Sequence, residues 1–117
     1  MSTVTSPKAE LTTLATFPES YFLENLAVRS DNSVLVTAFD HKELWYVPTN
    51  GTVSAKPVLL HTFDQFTLNL TEVEPDVFYL CTSNVYTDHR SSLHRVDLRN
   101  WETGHCHRAP ECVGVSR

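Results

Sequence analysis

The sequence predicts an all-β chain of β-propeller-type antiparallel blades, incomplete. Three observations carry this. Helical periodicity is missing, and short β-branched and aromatic runs alternate instead with Asp, Asn, Ser, Pro and Gly. Compact turn sequences stand between consecutive runs, as in hairpins. Two stretches also line up at a spacing of roughly 40–50 residues, the period of a four-stranded blade.

In chain order, strands are expected at Leu11–Phe17, Phe22–Arg29, Val34–Phe39, Glu43–Val47, Pro57–Phe63, Leu68–Val73, Val77–Thr82 and Leu93–Leu98. Ser30-Asp31-Asn32-Ser33 supplies the turn before Val34, and Glu74-Pro75-Asp76 the turn before Val77. Both compositions favour tight turns, because Asp and Asn bond their own backbone and Pro presets φ. The two copies are Leu26-Ala27-Val28, turn, Val34-Leu35-Val36-Thr37, gap, Leu44-Trp45-Tyr46-Val47 and Leu70-Thr71-Glu72-Val73, turn, Val77-Phe78-Tyr79-Leu80, gap, Leu93-His94-Arg95-Val96. Val34 aligns with Val77 at a shift of 43, and Leu44 with Leu93 at 49.

In such a blade the first strand lines the central channel, the next two carry the inter-blade core and the fourth is the outer edge. The first blade spans about 22–63, closed by Pro57–Phe63, and the second about 67–98, stopping after its third strand. Residues 1–10 are expected to be a disordered N-terminus, 11–101 a partial propeller and 102–117 an irregular tail. An immunoglobulin-like sandwich also offers about seven short strands. It would normally place a Trp between two cysteines, and neither Trp45 nor Trp101 is so placed.

Composition narrows the function. Hydrophobic residues at 41% and charged residues at 20% fit an ordinary globular chain. Nine Lys and Arg against fourteen Asp and Glu leave a net charge of −5, which argues against a nucleic-acid partner. No apolar run is long enough to span a membrane. Met1-Ser2-Thr3-Val4 lacks the basic head and apolar core of a secretory signal, so a cytoplasmic location is expected. Asn50-Gly51-Thr52 and Asn69-Leu70-Thr71 then match the glycosylation pattern only by accident.

Three cysteines, an odd count, do not suggest a disulfide framework. Cys81 lies in an apolar run and reads as a small buried hydrophobe. His105, Cys106, His107 and Cys112 superficially suggest a metal site, but their spacing matches neither paired-cysteine nor paired-histidine patterns. No metal is expected. Asp88-His89-Arg90-Ser91-Ser92 is weak evidence for a triad, because triads assemble from distant segments. Asp40, His41 and Lys42 read as a solvated turn, and His94 and Arg95 as mid-strand neighbours, one outward and one paired.

Leu23 through Thr37 followed by Glu43-Leu44-Trp45-Tyr46-Val47, and Leu70 through Phe78 followed by Val96-Asp97-Leu98, resemble the opening blades of a fungal propeller family. This family belongs to the six-bladed senescence-marker-protein/gluconolactonase-like propellers and includes secondary-metabolite hetero-Diels–Alderases. The resemblance covers about residues 11–101, about two blades of six. It implies cycloaddition of a tropolone quinone methide with a humulene-type terpene, without a cofactor. Its partner would be a terpenoid or polyketide-derived small molecule.

By the same resemblance Glu24 matches a cation-ligating Glu of hydrolytic relatives, with Asn25 beside it, while Asn84 and Tyr86 fall on a channel-mouth loop. These four are the substrate-site candidates; the catalytic residues stay unassigned. One carboxylate is not a divalent-cation site, since Ca²⁺ takes about six to eight oxygens. Glu24 then reads as a channel-lining carboxylate and Asn84 as a loop-bracing residue. A cation-dependent lactonase or esterase and a non-catalytic remnant or binding module are the alternatives. A cycloaddition needs only an apolar cavity and a few hydrogen-bond donors. Phe22, Phe39, Tyr46, Phe66, Phe78, Tyr79 and Tyr86 are the aromatic side chains available to build one or to fill the core.

The resemblance implies a further strand beyond Trp101. The tail after it is expected to come from an intron or shifted frame that leaves a truncated relative. A closed propeller of at least about four blades needs roughly 180 residues. With 117, open sheet edges are expected to favour self-association.

Overall fold

From Leu23 onward each strand turns back against the one before it. The computed structural model describes residues 9–48, 56–101 and 114–116. The first sheet holds β1 (Leu23–Val28), β2 (Val34–Ala38), β3 (Glu43–Val47) and β4 (Val58–Thr62). The second holds β5 (Phe66–Glu74), β6 (Val77–Ser83), β7 (Ser91–Asp97) and β8 (Gly114–Ser116). Each is antiparallel with its strands in sequence order. The described residues contain no helix, and the chain is all-β.

Turn chemistry sets the hairpins. Between β1 and β2, Asn32 takes φ 69° while Asp31 accepts from the Ser33 N–H at 2.9 Å. Between β5 and β6, Asp76 takes φ 62°. Asn and Asp visit this left-handed region more readily than most residues. Lys42 (φ 61°) and His89 (φ 59°) do so in the β2–β3 and β6–β7 loops.

The two sheets pack face to face, and their first strands run the same way. Asn25 of β1 lies beside Asn69 of β5, with Nδ2 to Oδ1 at 3.4 Å. At the other end Arg29 Nε donates to Asp76 Oδ1 at 3.1 Å. The second sheet therefore repeats the strand order of the first, with β5 running alongside β1 in the same direction. Between the sheets lie Leu35, Leu44, Tyr46 and Leu60 from the first sheet and Leu70, Phe78, Leu80, Val96 and Leu98 from the second. Trp101 joins this core edge-on to Tyr46, with ring centres 4.6 Å apart.

Hydrogen bonds lock the inter-sheet seam. The Thr37 hydroxyl donates to the Leu68 carbonyl at 3.1 Å, and the Thr67 hydroxyl to the Ala38 carbonyl at 3.1 Å. No buried side-chain polar atom among the described residues lacks a partner. That condition matters, since an orphaned buried group costs about 1–3 kcal/mol.

Several expectations change. Residues 11–17 form no strand; they lie across the outer face of the first sheet, where Ala15 and Phe17 pack against Val34, Val36 and Val47. Leu, Thr and Phe give that segment strand character, but no strand among the described residues pairs with it. The second sheet does gain a fourth strand, β8, from within the stretch read as irregular. Three residues are too few to show a period. β5 begins at Phe66 rather than Leu68, because register shifts at Thr67/Leu70 and Glu72/Glu74 disrupt the alternation.

Register also corrects the repeat. Leu26 pairs with Val36 and Leu70 with Leu80, a shift of 44 rather than 43 in the second strand. One residue decides which face a side chain occupies. Cys81 is half-buried, on the uncovered face of the second sheet, instead of in the core. Residues 1–8, Asn50-Gly51-Thr52, His105, Cys106, His107 and Cys112 lie outside the described residues.

Candidate functional site

In an antiparallel sheet the start of strand one and the end of strand two share an edge. The loop end of this molecule therefore gathers Phe22, the β2–β3 turn (39–42), the β4–β5 link (63–65) and the β6–β7 loop (84–90). Rings from both sheets meet there. Phe22 stands edge-on to Phe39 at 5.8 Å, Phe39 stacks on Phe66 at 5.0 Å, and Tyr86 stands edge-on to Phe66 at 5.3 Å. Such pairs are worth about 0.5–1.5 kcal/mol beyond area burial. The cluster nevertheless stays open, with Tyr86 74% and Phe22 57% exposed.

Charge enters beside the rings. Lys42 Nζ lies 5.0 Å from the centre of the Phe66 ring, within cation–π range. Asp40 Oδ1 accepts from the Phe22 N–H at 2.9 Å and contacts His41 Nδ1 at 3.0 Å. Desolvation pushes the Asp40 carboxyl up, but these bonds prevail and hold it below its ordinary value. His41 stacks on Tyr21 at 3.7 Å. The turn read as solvated thus ties β1 and the N-terminal segment together.

A cleft of about 510 Å³ opens nearby, lined by His61, Thr62, Phe63, Asp64, Gln65, Thr82 and His94. Its polar groups form a chain whose proton positions follow from one another. Gln65 Nε2 donates to the Arg90 carbonyl at 3.1 Å, so its Oε1 is the acceptor facing Thr82. The Thr82 hydroxyl donates to that oxygen at 2.7 Å. With its only proton used, Thr82 accepts from His94 Nε2 at 3.0 Å, which fixes the proton on that nitrogen. Burial lowers the pKa of His61, opposed by the Asp64 charge. Both imidazoles flank Phe63, with ring centres at 4.5 and 4.8 Å.

The four candidate residues divide. Asn84 braces its own loop: Nδ2 donates to Asp88 Oδ1 at 3.1 Å, and its carbonyl accepts from the Thr87 and His89 N–H groups. Tyr86 belongs to the aromatic cluster. Glu24 and Asn25 line a shallow groove of about 370 Å³ with Leu23, Leu26 and Val36. Among the described contacts none joins Glu24 or Asn25 directly to Asn84 or Tyr86.

The Asp88–Ser92 run is loop architecture. Asp88 Oδ1 accepts from the Arg90 N–H at 3.0 Å, and this bond and the one from Asn84 lower its pKa. His94 bonds Thr82, while Arg95 reaches Asp97 at 3.4 Å, so both mid-strand neighbours are partnered. Among the described residues, no three His, Cys, Asp or Glu side chains come together as a metal site. No helix there is long and apolar enough to cross a membrane.

Sequence reasoning missed the cleft. Thr82 and Gln65 are 17 positions apart and Thr82 and His94 are 12, with no spacing pattern to connect them. Only the sheet-on-sheet arrangement makes them neighbours of His61. No protein-family model matches the chain, and neither a curated protein nor a solved structure gives a significant match.

Proposed function

We propose that the protein binds an apolar, ring-bearing small molecule of terpenoid or polyketide origin at the loop end. We propose further that it acts there as a pericyclase, like the fungal hetero-Diels–Alderases it resembles. The observation that carries the reading is the convergence of Phe22, Phe39, Phe66 and Tyr86 from both sheets beside the Lys42 ammonium. Flat faces suit two unsaturated hydrocarbon partners, and an ammonium suits the oxygen of a quinone methide. Polarising that oxygen draws electron density from the heterodiene and speeds its union with an alkene.

The reaction balances without a cofactor. One carbon–oxygen and one carbon–carbon σ bond form as three π bonds become one, and nothing leaves. Orientation of the two partners is the main contribution required of the protein. In this reading Tyr86 and Phe66 stack against substrate, Lys42 polarises it, and Asn84 and Asp88 hold the loop that carries Tyr86. In this reading the protein works in the cytoplasm.

The deciding experiment mixes the purified chain with a quinone-methide precursor and humulene and follows adduct formation by chromatography. Acceleration over the protein-free reaction, reduced by Lys42→Met, supports the reading; an unchanged rate sinks it. A second reading, a binding module without catalysis, is favoured by the openness of Tyr86, since an unclosed site excludes little water. It predicts that humulene quenches Tyr and Trp fluorescence with no rate effect. A cation-dependent hydrolase has the least support, because Glu24 stands on an exposed strand among Leu23, Leu26 and Val36 rather than in an oxygen cage.

A further inference from the structure

The three-residue link between β4 and β5 touches both loops that carry the ring cluster. Its first residue, Phe63, donates its N–H to the Lys42 carbonyl at 2.7 Å, on the turn that bears Phe39 and Lys42. Its last, Gln65, donates from Nε2 to the Arg90 carbonyl at 3.1 Å, at the end of the loop that bears Tyr86. Phe66, the ring that Lys42 and Tyr86 both approach, follows directly.

The Tyr86 loop is otherwise bonded to itself. The Asn84 N–H donates to the Arg90 carbonyl at 2.9 Å, and the Asn84 carbonyl accepts from Thr87 and His89. Asp88 accepts from the Asn84 amide and from the Arg90 N–H. Among the described hydrogen bonds of residues 84–90, the one from Gln65 alone reaches another element. A loop so braced keeps its own shape. Its placement over Phe66 depends on that outside bond and on the Tyr86 ring contacts.

We propose that Gln65 is a positioning residue that sets Tyr86 against Phe66 and keeps the ring site assembled, an assignment that rests on the ligand reading given above. The residue type supports it. Gln65 is 8% exposed and stands between a donor, the Thr82 hydroxyl, and an acceptor, the Arg90 carbonyl. A side-chain amide offers one acceptor and one donor on the same planar group. Glu has the same shape, but its carboxylate sets an oxygen against the Arg90 carbonyl; protonated, it donates there again. Burial and the facing carbonyl push such a carboxyl's pKa up, so mild acid restores the bond.

Amide hydrogen exchange across 84–90 and humulene quenching of Tyr and Trp fluorescence test this on the full chain. At about pH 8, Gln65→Glu should speed exchange in the loop roughly threefold to tenfold over wild type, as loss of one net hydrogen bond does. Humulene affinity should fall by a similar factor. At about pH 5 both should return towards wild type measured at the same pH, as the carboxyl takes up its proton. Gln65→Leu removes the donor without adding charge, so its loop should stay loose at both pH values. It also carries the test if the Glu variant does not fold. Exchange in β2 and β3 should move in neither variant. Unchanged loop exchange in both variants overturns the proposal, as does an equal rise throughout the strands, which would make Gln65 a support of the fold alone. A loosened loop with unchanged humulene affinity overturns the positioning role. If humulene fails to quench even the wild type, the ligand reading is what fails, and exchange alone then decides whether Gln65 places the loop.

Discussion

Leu35 and Tyr79 hold the same place in their two sheets, paired directly with Ala27 and with Thr71, yet their surroundings differ. Leu35 is fully buried against the second sheet, whereas Tyr79 is 41% exposed. Leu44 and Leu93 repeat the contrast with the same side chain at both positions. Strand pattern alone cannot account for this, because both members of each pair alternate with the same period. What differs is whether another sheet stands opposite. Burial here belongs to the pair of sheets, so mutating matched positions separates the energy of the interface from the energy of the strand.

The largest effect should fall on that pair. Leu35→Ala empties a buried site and is expected to cost roughly 2–5 kcal/mol. Tyr79→Ala in dilute solution should change stability by less than about 0.5 kcal/mol, as exposed substitutions do. Urea unfolding monitored by Trp fluorescence gives both values. Similar costs at the two positions would mean that the sheets do not pack as described.

The two hairpin turns make the next comparison. Asp76, in the second sheet, accepts from buried Arg29 of the first, whereas Asp31 is bonded chiefly within its own turn. Asp76→Asn keeps the turn geometry but removes a charge-assisted bond across the seam, at an expected cost of about 2 kcal/mol. Asp31→Asn should cost about half of that or less, since its side chain is exposed. Equal losses would assign the Asp76 effect to its turn instead of to the seam.

Thr82 has Ala38 as its counterpart in the first sheet, so the bond chain through Gln65 and His94 exists on one side only. Thr82→Val preserves shape but strips Gln65 Oε1 of its donor and His94 of its acceptor. The expected loss is about 1–3 kcal/mol. Urea unfolding reads this loss. A neutral result would mean that water replaces the hydroxyl.

How far the sequence announces this structure depends on how local the cause is. β2 and β3 are legible because Val34–Ala38 and Glu43–Val47 are apolar or aromatic runs held between turn-forming residues. β8 is not, because Gly114, Val115 and Ser116 are a strand only by pairing with Arg95, Val96 and Asp97. The segment 11–17 errs the other way: its residues favour a strand, and among the described residues no edge accepts it. At the candidate site Tyr86 is legible as an aromatic residue on a loop. His61, Gln65, Thr82 and His94 are not, because their meeting requires both sheets and the 44-residue register.

Acid should give the smallest and most graded effect, and again it divides the sheets. Arg99 donates to both Asp97 oxygens, at 2.7 Å from Nη2 and 3.0 Å from Nε, and its backbone N–H adds a third bond. These bonds hold the Asp97 carboxyl far below its ordinary value. A carboxyl depressed by folding binds fewer protons than the unfolded chain does. Its contribution is therefore complete above about pH 4, and it is lost as pH falls through the folded value. His61, depressed by burial, shifts stability in the same direction, with its loss beginning below about pH 6.5. The melting temperature should therefore fall gently below about pH 6.5 and more steeply in the carboxylate range. Asp97→Asn should flatten the steep part, and His61→Phe the gentle part. In the first sheet Asp31→Asn should do less than Asp97→Asn, because Asp31 is held chiefly by Ser33 and only distantly by Arg29. Acid curves for Asp97→Asn and wild type that run parallel would show that solvent screens the Arg99 pair completely.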